Sequence, residues 1–365
     1  MTSLFGRLLL GLGVIACGSA SAAQRDPLAP LPAPGPMQTQ PQPQMSPPTF
    51  ATGAAPLGLR DEINRLGRGF DGKAGISVVS LQDGWAVDHA STSLFPQQSC
   101  SKLWVAITTL DAVDRGAVSL NDRVTIARDD LTLFHQPIAA KIRGGGLTTT
   151  IGALLFTAIT ESDNTANDAL MRSIGGPAAV RDMIQRKGLG AVRFFDGERS
   201  LQSRIAGLTW SQSYSIGDAF YKARSALPMP IRRASFERYL SDPYDGAAPR
   251  SVATALARLK RGELLSPAST ARLLSTMGQT KTGKARVRAA LASGWRWSHK
   301  TGTGQVLGGR IGGINDIGLL TAPDGTVYAM ALMTIPNKSN GQAQGLMQAV
   351  TKAVIAAHVT RRAGY

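Results

Sequence analysis

The chain has 365 residues, 40 of them Lys or Arg and 24 Asp or Glu, for a formal net charge of +16. An apolar share of 43% supplies a core for one large domain or two small ones, and a charged share of 18% excludes a solvated disordered chain. No 18-residue apolar run follows the N-terminus, which excludes a polytopic membrane protein. The cations are spread along the chain and aromatics are only 6%, so the clustered footprint of a nucleic-acid binder is missing. Their densest stretch, Arg258 to Arg288, reads as exposed helix and turn surface; attraction to an anionic envelope accounts equally well for the charge. Two cysteines, Cys17 and Cys100, exclude a disulfide scaffold and a structural zinc site. The four histidines lack short metal-ligand spacing, so neither metal nor cofactor is expected.

Residues 1–23 read as a signal peptide. Arg7 provides the positive start, Leu8 to Ala16 a short apolar core, and Ala20-Ser21-Ala22 the small residues for cleavage. Val14-Ile15-Ala16-Cys17 also fits a lipoprotein box, with Cys17 lipidated as the new N-terminus. Both readings export the chain to the periplasm, free or lipid-anchored, and both leave Cys100 as the lone cysteine of the folded part. Residues 24–56 carry ten of the 20 prolines and read as an extended linker or tether.

The folded part is expected over 57–361. Leu57 to Phe70 has helical spacing, and Gly75–Leu81 and Trp85–His89 flank a Gln82-Asp83-Gly84 turn as a hairpin. Helices are predicted over Ser99–Arg115, Leu147–Thr160, Thr165–Ile174, Val252–Leu259 and Pro267–Met277. Trp295–Thr303, Arg310–Leu320 and Val327–Thr334 read as strands, and Ala343–His358 as a closing helix. The order implies an α/β part (57–96 and 293–361), its antiparallel sheet formed by both chain ends and flanked by helices. An all-helical subdomain, 97–292, is inserted between them.

Three short motifs carry chemistry. Ser99 and Lys102, three apart on a helix, share one face. A serine hydroxyl needs a base, and a lysine buried among Leu94-Phe95-Pro96 and Leu103–Ile107 loses its proton more readily than a solvated one. Ser162-Asp163-Asn164 lies between two apolar helices; it suits either a helix cap or a proton relay with an amide contact to substrate. Lys300-Thr301-Gly302, continued by Thr303, ends a strand-like run. There an edge strand presents an ammonium, hydroxyls and backbone amides, and Gly302 lets a ligand approach. A second copy, Lys281-Thr282-Gly283, follows a helix and reads as a turn.

In this order the three resemble the signature of the active-site serine penicillin-recognising enzymes. Ser162 lies 63 positions after Ser99, and the text Ile159 to Ala166, Asp245 to Arg250, Gly262 to Ser266, Gly294 to Arg296 and Asn315 to Ile317 is similar to class A β-lactamases. The resemblance covers about Leu57 to His358 and implies a β-lactamase fold, expected as a monomer acting on β-lactams. It implies Ser99 as nucleophile, Lys102 or Glu198 through water as acylation base, and Ser162 as proton relay. Glu198, from Glu198-Arg199-Ser200-Leu201-Gln202, matches the Ω-loop glutamate that activates the deacylating water beside Asn164. Lys300, Thr301, Gly302 and Thr303 would hold the substrate carboxylate with Arg310, and Phe134 or His135 would wall the site.

Departures from the family point to a rebuilt Ω-loop. Gln202 replaces an asparagine, and Asp168 replaces a common asparagine, as in one sub-branch. Asp196 stands where an arginine pairs with the aspartate matching Asp245, a bridge that two acids cannot form. Forty residues, Ser203 to Asp242, separate the glutamate motif from the Asp245 region, far more than is usual in the family. A D-alanyl-D-alanine carboxypeptidase or esterase of the same superfamily, and a non-catalytic β-lactam or envelope-binding protein, stay open as alternatives.

Overall fold

The computed structural model describes residues 53–338 and 340–362. The predicted signal peptide with Cys17, and residues 24–52 of the predicted linker, lie outside the described residues. Helix α1 (Leu59–Arg68) leads into the hairpin β1 (Gly72–Ser80) and β2 (Ala86–His89). After β3 (Phe95–Pro96), a 3-10 turn over Gln98–Ser101 runs into α2 (Lys102–Asp114). The middle of the chain holds β4 (Arg123–Ile126), β5 (Leu147–Thr150), α3 (Ile151–Thr160), α4 (Asn164–Ser173), α5 (Gly176–Arg186) and α6 (Gly197–Ile205). It continues through α7 (Ala219–Ala226), α8 (Met229–Ser241), β6 (Gly246–Ala247), α9 (Pro249–Lys260) and α10 (Pro267–Gly278). The last part is β7 (Arg296–Thr303), the short hairpin β8 (Val306–Leu307) and β9 (Arg310–Ile311), β10 (Ile314–Thr321), β11 (Val327–Pro336) and α11 (Asn340–Arg362).

The main sheet has the order β2-β1-β11-β10-β7, every pair antiparallel, so both chain ends build it as the sequence predicts. Its central strands β1, β11 and β10 are buried on both faces over most of their length. On β11, Met330 and Leu332 join a core with Ile63 of α1 and Met347 and Val350 of α11. The alternate residues Ala329, Ala331 and Met333 face α2 and α9 with Leu103, Ile107 and Leu256. That alternation is the period-two pleat of a strand packed on two sides, and each large apolar side chain so buried contributes about 1.5–3 kcal/mol.

Helix α2 is buried from Lys102 through Ala112. A helix packed on every side cannot shift, so its N-terminal turn, which carries Ser99, is fixed against the sheet. Strand β7 is the edge strand beside that turn. Gly302 fits there because a Cβ would come 2.3 Å from the Gln97 carbonyl oxygen. Its lack of a side chain therefore serves packing of β7 on the Ser99 turn.

Two predicted boundaries change. Leu147–Thr150, expected as helix, pairs with β4; three consecutive threonines favour the strand, and the Thr150 hydroxyl then caps α3 at the Ala153 amide (3.2 Å). The strand expected over Arg310–Leu320 breaks at Gly312-Gly313, where Gly313 takes a φ of 127° that an L side chain rarely adopts. Among the described residues no helix is long and apolar enough to cross a membrane.

Candidate active site

The site lies where the Ser99 turn, the α3–α4 junction, the start of α6 and the end of β7 meet. Lys102 is fully buried, and its Nζ donates to Ser99 Oγ (2.8 Å), to Asn164 Oδ1 (2.8 Å) and to Glu198 Oε1. One ammonium thus gathers three of the predicted residues. Ser99 itself is only half-buried, so its hydroxyl can be reached from outside. Its amide belongs to the first turn of a helix, where N–H groups have no carbonyl of their own turn to meet.

The Ser162-Asp163-Asn164 motif divides its work. Asp163 is the helix cap: it accepts from Ala166 N (2.8 Å) and Ile138 N (2.6 Å), and its burial raises its pKa above the usual carboxylate value. The flanking residues are thereby aimed into the site. Asn164 donates to the Leu133 carbonyl (2.8 Å), leaving its oxygen for Lys102. Ser162 accepts from Lys300 Nζ (2.8 Å). Ser162, Gln98 and Phe134 all hold positive φ (62°, 53° and 60°). Non-glycine residues pay about 1–3 kcal/mol each for such conformations, and here three of them border one site.

Lys300 sits in a different electrostatic setting. It is fully buried, and its Nζ meets only neutral oxygens, Ser162 Oγ and the Thr301 carbonyl (3.0 Å). Burial, reinforced by the charge of Lys102, lowers its pKa from 10.5 to about 7. Such a buried cation gains from an incoming anion. Thr301 Oγ1 is 2.7 Å from Thr282 Oγ1. The second Lys-Thr-Gly copy is thus a turn packed beside the first, and its Lys281 leaves the site to pair with Glu161 (2.6 Å) on the surface.

The predicted cation Arg310 does not join this cluster. It lies on the β8–β9 hairpin and pairs with Glu237 of α8 (2.5 Å). Arg286 takes the place beside β7. It is buried and donates to the carbonyls of Gly302 (3.0 Å) and Asn315 (2.6 Å) and to Thr303 Oγ1 (2.5 Å). Because the guanidinium occupies an acceptor position of the Thr303 hydroxyl, the hydroxyl proton is left for a ligand. Nothing local in the sequence singled out Arg286; only the packing of its loop against β7 does.

Glu198 stands on the first turn of α6, and Asp168 from α4 caps that turn from outside. Its two oxygens accept from Glu198 N (3.0 Å) and Arg199 N (3.3 Å). Burial, and then the neighbouring Glu198 carboxylate, raise the Asp168 pKa to about 6. Gln202, one turn on, donates to Glu198 Oε2 (3.2 Å). Asp196 and Asp245 form no bridge: Asp196 pairs with Arg181 (2.9 Å), and Asp245 is buried against Tyr239 and Gln98. His135 turns away to the Glu161 carbonyl (2.8 Å), whereas Phe134 packs edge-on against Phe220 of α7 (5.1 Å between ring centres). Cys100 is buried, and that burial pushes its thiol up to about 12, so it is no competing nucleophile.

A paired serine and lysine, a second such pair and a carboxylate on a separate helix define a serine hydrolase site. Residues 58–358 match the model of the beta-lactamase enzyme family, and the chain belongs to that family, among its class A serine enzymes. It is 26% identical over 291 residues to the extended-spectrum β-lactamase PER-1 of Pseudomonas aeruginosa, covering 78% of this chain and 82% of that protein. A β-lactamase from Chitinophaga pinensis has a similar structure (TM-score 0.68, 25% identity, 82% of this chain and 99% of that one). So does an ancestral class A β-lactamase, GNCA (TM-score 0.66, 28% identity, 82% and 99%).

Proposed function

We propose that the protein opens the β-lactam ring through an acyl-enzyme on Ser99 and so confers β-lactam resistance. The reading rests chiefly on Lys102 Nζ, which touches the nucleophile, Asn164 and the Glu198 carboxylate at once. In acylation the Ser99 Oγ–carbon bond forms and the lactam C–N bond breaks. The serine proton passes through the Lys102–Glu198 pair, and Ser162 relays it to the departing nitrogen, so the pair and Ser162 end the step as they began it. The amides of Ser99 and Thr303 receive the oxyanion, a contribution of about 3 kcal/mol per donor in comparable sites. The substrate carboxylate lies against Lys300 and the hydroxyls of Thr301 and Thr303, with Arg286 behind Thr303.

In deacylation Glu198 takes a proton from water, the hydroxide attacks the ester, and the C–O bond to Ser99 breaks as the serine regains its proton. Residues 1–23 would send the chain to the periplasm, with Cys17 as the alternative lipid anchor. Turnover of nitrocefin or benzylpenicillin by the purified protein, followed by intact-mass spectrometry, tests the reading. Turnover through a transient adduct on Ser99 is expected. An adduct that persists for many minutes in the wild type would make the protein a penicillin-binding enzyme of the carboxypeptidase kind, and no adduct at all would overturn the serine mechanism.

A further inference from the structure

We infer that Tyr239, on helix α8 in the 203–242 segment, is a positioning residue for Glu198, acting through a polarised chain of side-chain amides. The inference rests on the hydrolytic reading above.

The chain begins at Asp245, which is 1% exposed and accepts from Tyr239 Oη (2.9 Å) and from the backbone amide of Gln98 (2.7 Å). A phenol has a single proton, and Tyr239 spends it on Asp245, so toward Gln98 it can only accept. Gln98 must then present its NH2, and Nε2 lies 2.7 Å from Tyr239 Oη and 3.1 Å from the Gly312 carbonyl. That leaves Gln98 Oε1 facing Gln202, which must in turn present its own NH2. Gln202 Nε2 lies 3.4 Å from Gln98 Oε1 and 3.2 Å from Glu198 Oε2. The far side of Gln202 fits the same polarity, since its Oε1 accepts from Gln305 Nε2 (3.0 Å). The buried Asp245 end sets this polarity through Tyr239, the Gly312 carbonyl supports it at Gln98, and Gln305, held by its bond to the Gln202 backbone carbonyl (2.8 Å), matches it at the far end.

The consequence falls on Glu198. With this polarity both its oxygens meet donors, Lys102 Nζ on one and Gln202 Nε2 on the other. Reversed, the chain would turn the Gln202 carbonyl toward Oε2, and two acceptors in contact require a proton on the carboxyl group. A protonated Glu198 cannot take a proton from water. Tyr239 and Asp245 are both buried and, among the described residues, share no hydrogen bond with Glu198, Lys102 or Ser162, so their hydrogen-bonded route to Glu198 runs through Gln98 and Gln202, beside a through-space charge interaction with Glu198. The family's arginine–aspartate bridge is absent here, and α8 supplies a neutral hydroxyl to Asp245 instead.

Tyr239→Phe keeps the buried ring and removes the hydroxyl, so the variant is expected to fold. In stopped-flow and steady-state assays with benzylpenicillin on the full-length protein, acylation should stay within about threefold of wild type. Deacylation should slow about tenfold or more, with the adduct on Ser99 accumulating. Gln202→Met removes the last link of the chain. In that background Tyr239→Phe should cost less than about twofold further, because residues in one hydrogen-bonded chain are non-additive. Independent, multiplicative losses in the double variant would mean that Tyr239 acts only on structure, and would overturn the inference. So would equal losses of acylation and deacylation, or wild-type kinetics for Tyr239→Phe. A wild type that never turns over overturns the hydrolytic reading together with this one; a wild type that turns over beside an unaffected Tyr239→Phe overturns this one alone.

Discussion

The two lysines of the site make the same first contact and sit in opposite surroundings. Each is fully buried and donates 2.8 Å to a serine hydroxyl, Lys102 to Ser99 and Lys300 to Ser162. Lys102 lies on the helical side with the Glu198 carboxylate against it. Lys300 lies on the sheet edge with no carboxylate at its Nζ, near the cations Lys102 and Arg286. A Lys–Ser contact therefore does not define a role. The nearest acceptor charge does: a paired ammonium can exchange a proton with its carboxylate, and an unpaired one is a socket for an external anion.

The largest expected effect separates the two serines. Ser99→Ala should abolish covalent labelling and lower turnover by about 10⁴-fold or more, as loss of a nucleophile does in other serine hydrolases. Labelling of that variant at the wild-type rate in intact-mass measurements would remove Ser99 from the mechanism. Next comes the carboxylate that distinguishes the Lys102 side. Glu198→Gln keeps the shape but cannot take a proton from water, so it should acylate in a burst and then clear the adduct about 10²- to 10⁴-fold more slowly. An unimpaired Glu198→Gln would pass the role to another base, with Asp196 the next candidate.

On the Lys300 side the effect is smaller and depends on pH. Lys300→Ala should lose at least about tenfold in kcat/KM, about 1.4 kcal/mol. Its pKa of about 7 means that the ammonium is present below that pH and lost above it. If the charge holds the substrate carboxylate, kcat/KM of the wild type should fall as pH rises through about 7, and Lys300→Ala should lack that limb. A wild-type profile flat to pH 9 would break the contrast between the lysines. The smallest effects belong to the look-alike positions. Lys281→Ala and Arg310→Ala each remove a half-exposed ion pair, contacts of about 0–1 kcal/mol, and should stay within about threefold of wild type in steady-state kinetics.

The order of elements follows from periodicity, and the antiparallel sheet from both ends follows from strands at the two ends of the chain. The pairing of Ser99 with Lys102 was legible because three residues make one helical turn, a distance set by local geometry. That Lys300 lies on a strand and Lys281 follows a helix was also legible. What the tertiary structure alone decided are contacts between segments distant in sequence. Arg286 rather than Arg310 stands behind Thr303 because a loop folds back on β7, while α8 supplies Glu237 to Arg310. Gly302 answers to the carbonyl of Gln97, 205 positions away in the chain. Residues 203–242, for which the sequence offered no element or role, place Tyr239 against Asp245 and Gln98. Periodicity reports which face of an element is apolar; it carries no information about which distant polar group will need a buried partner, and that need is met only when the chain has closed around it.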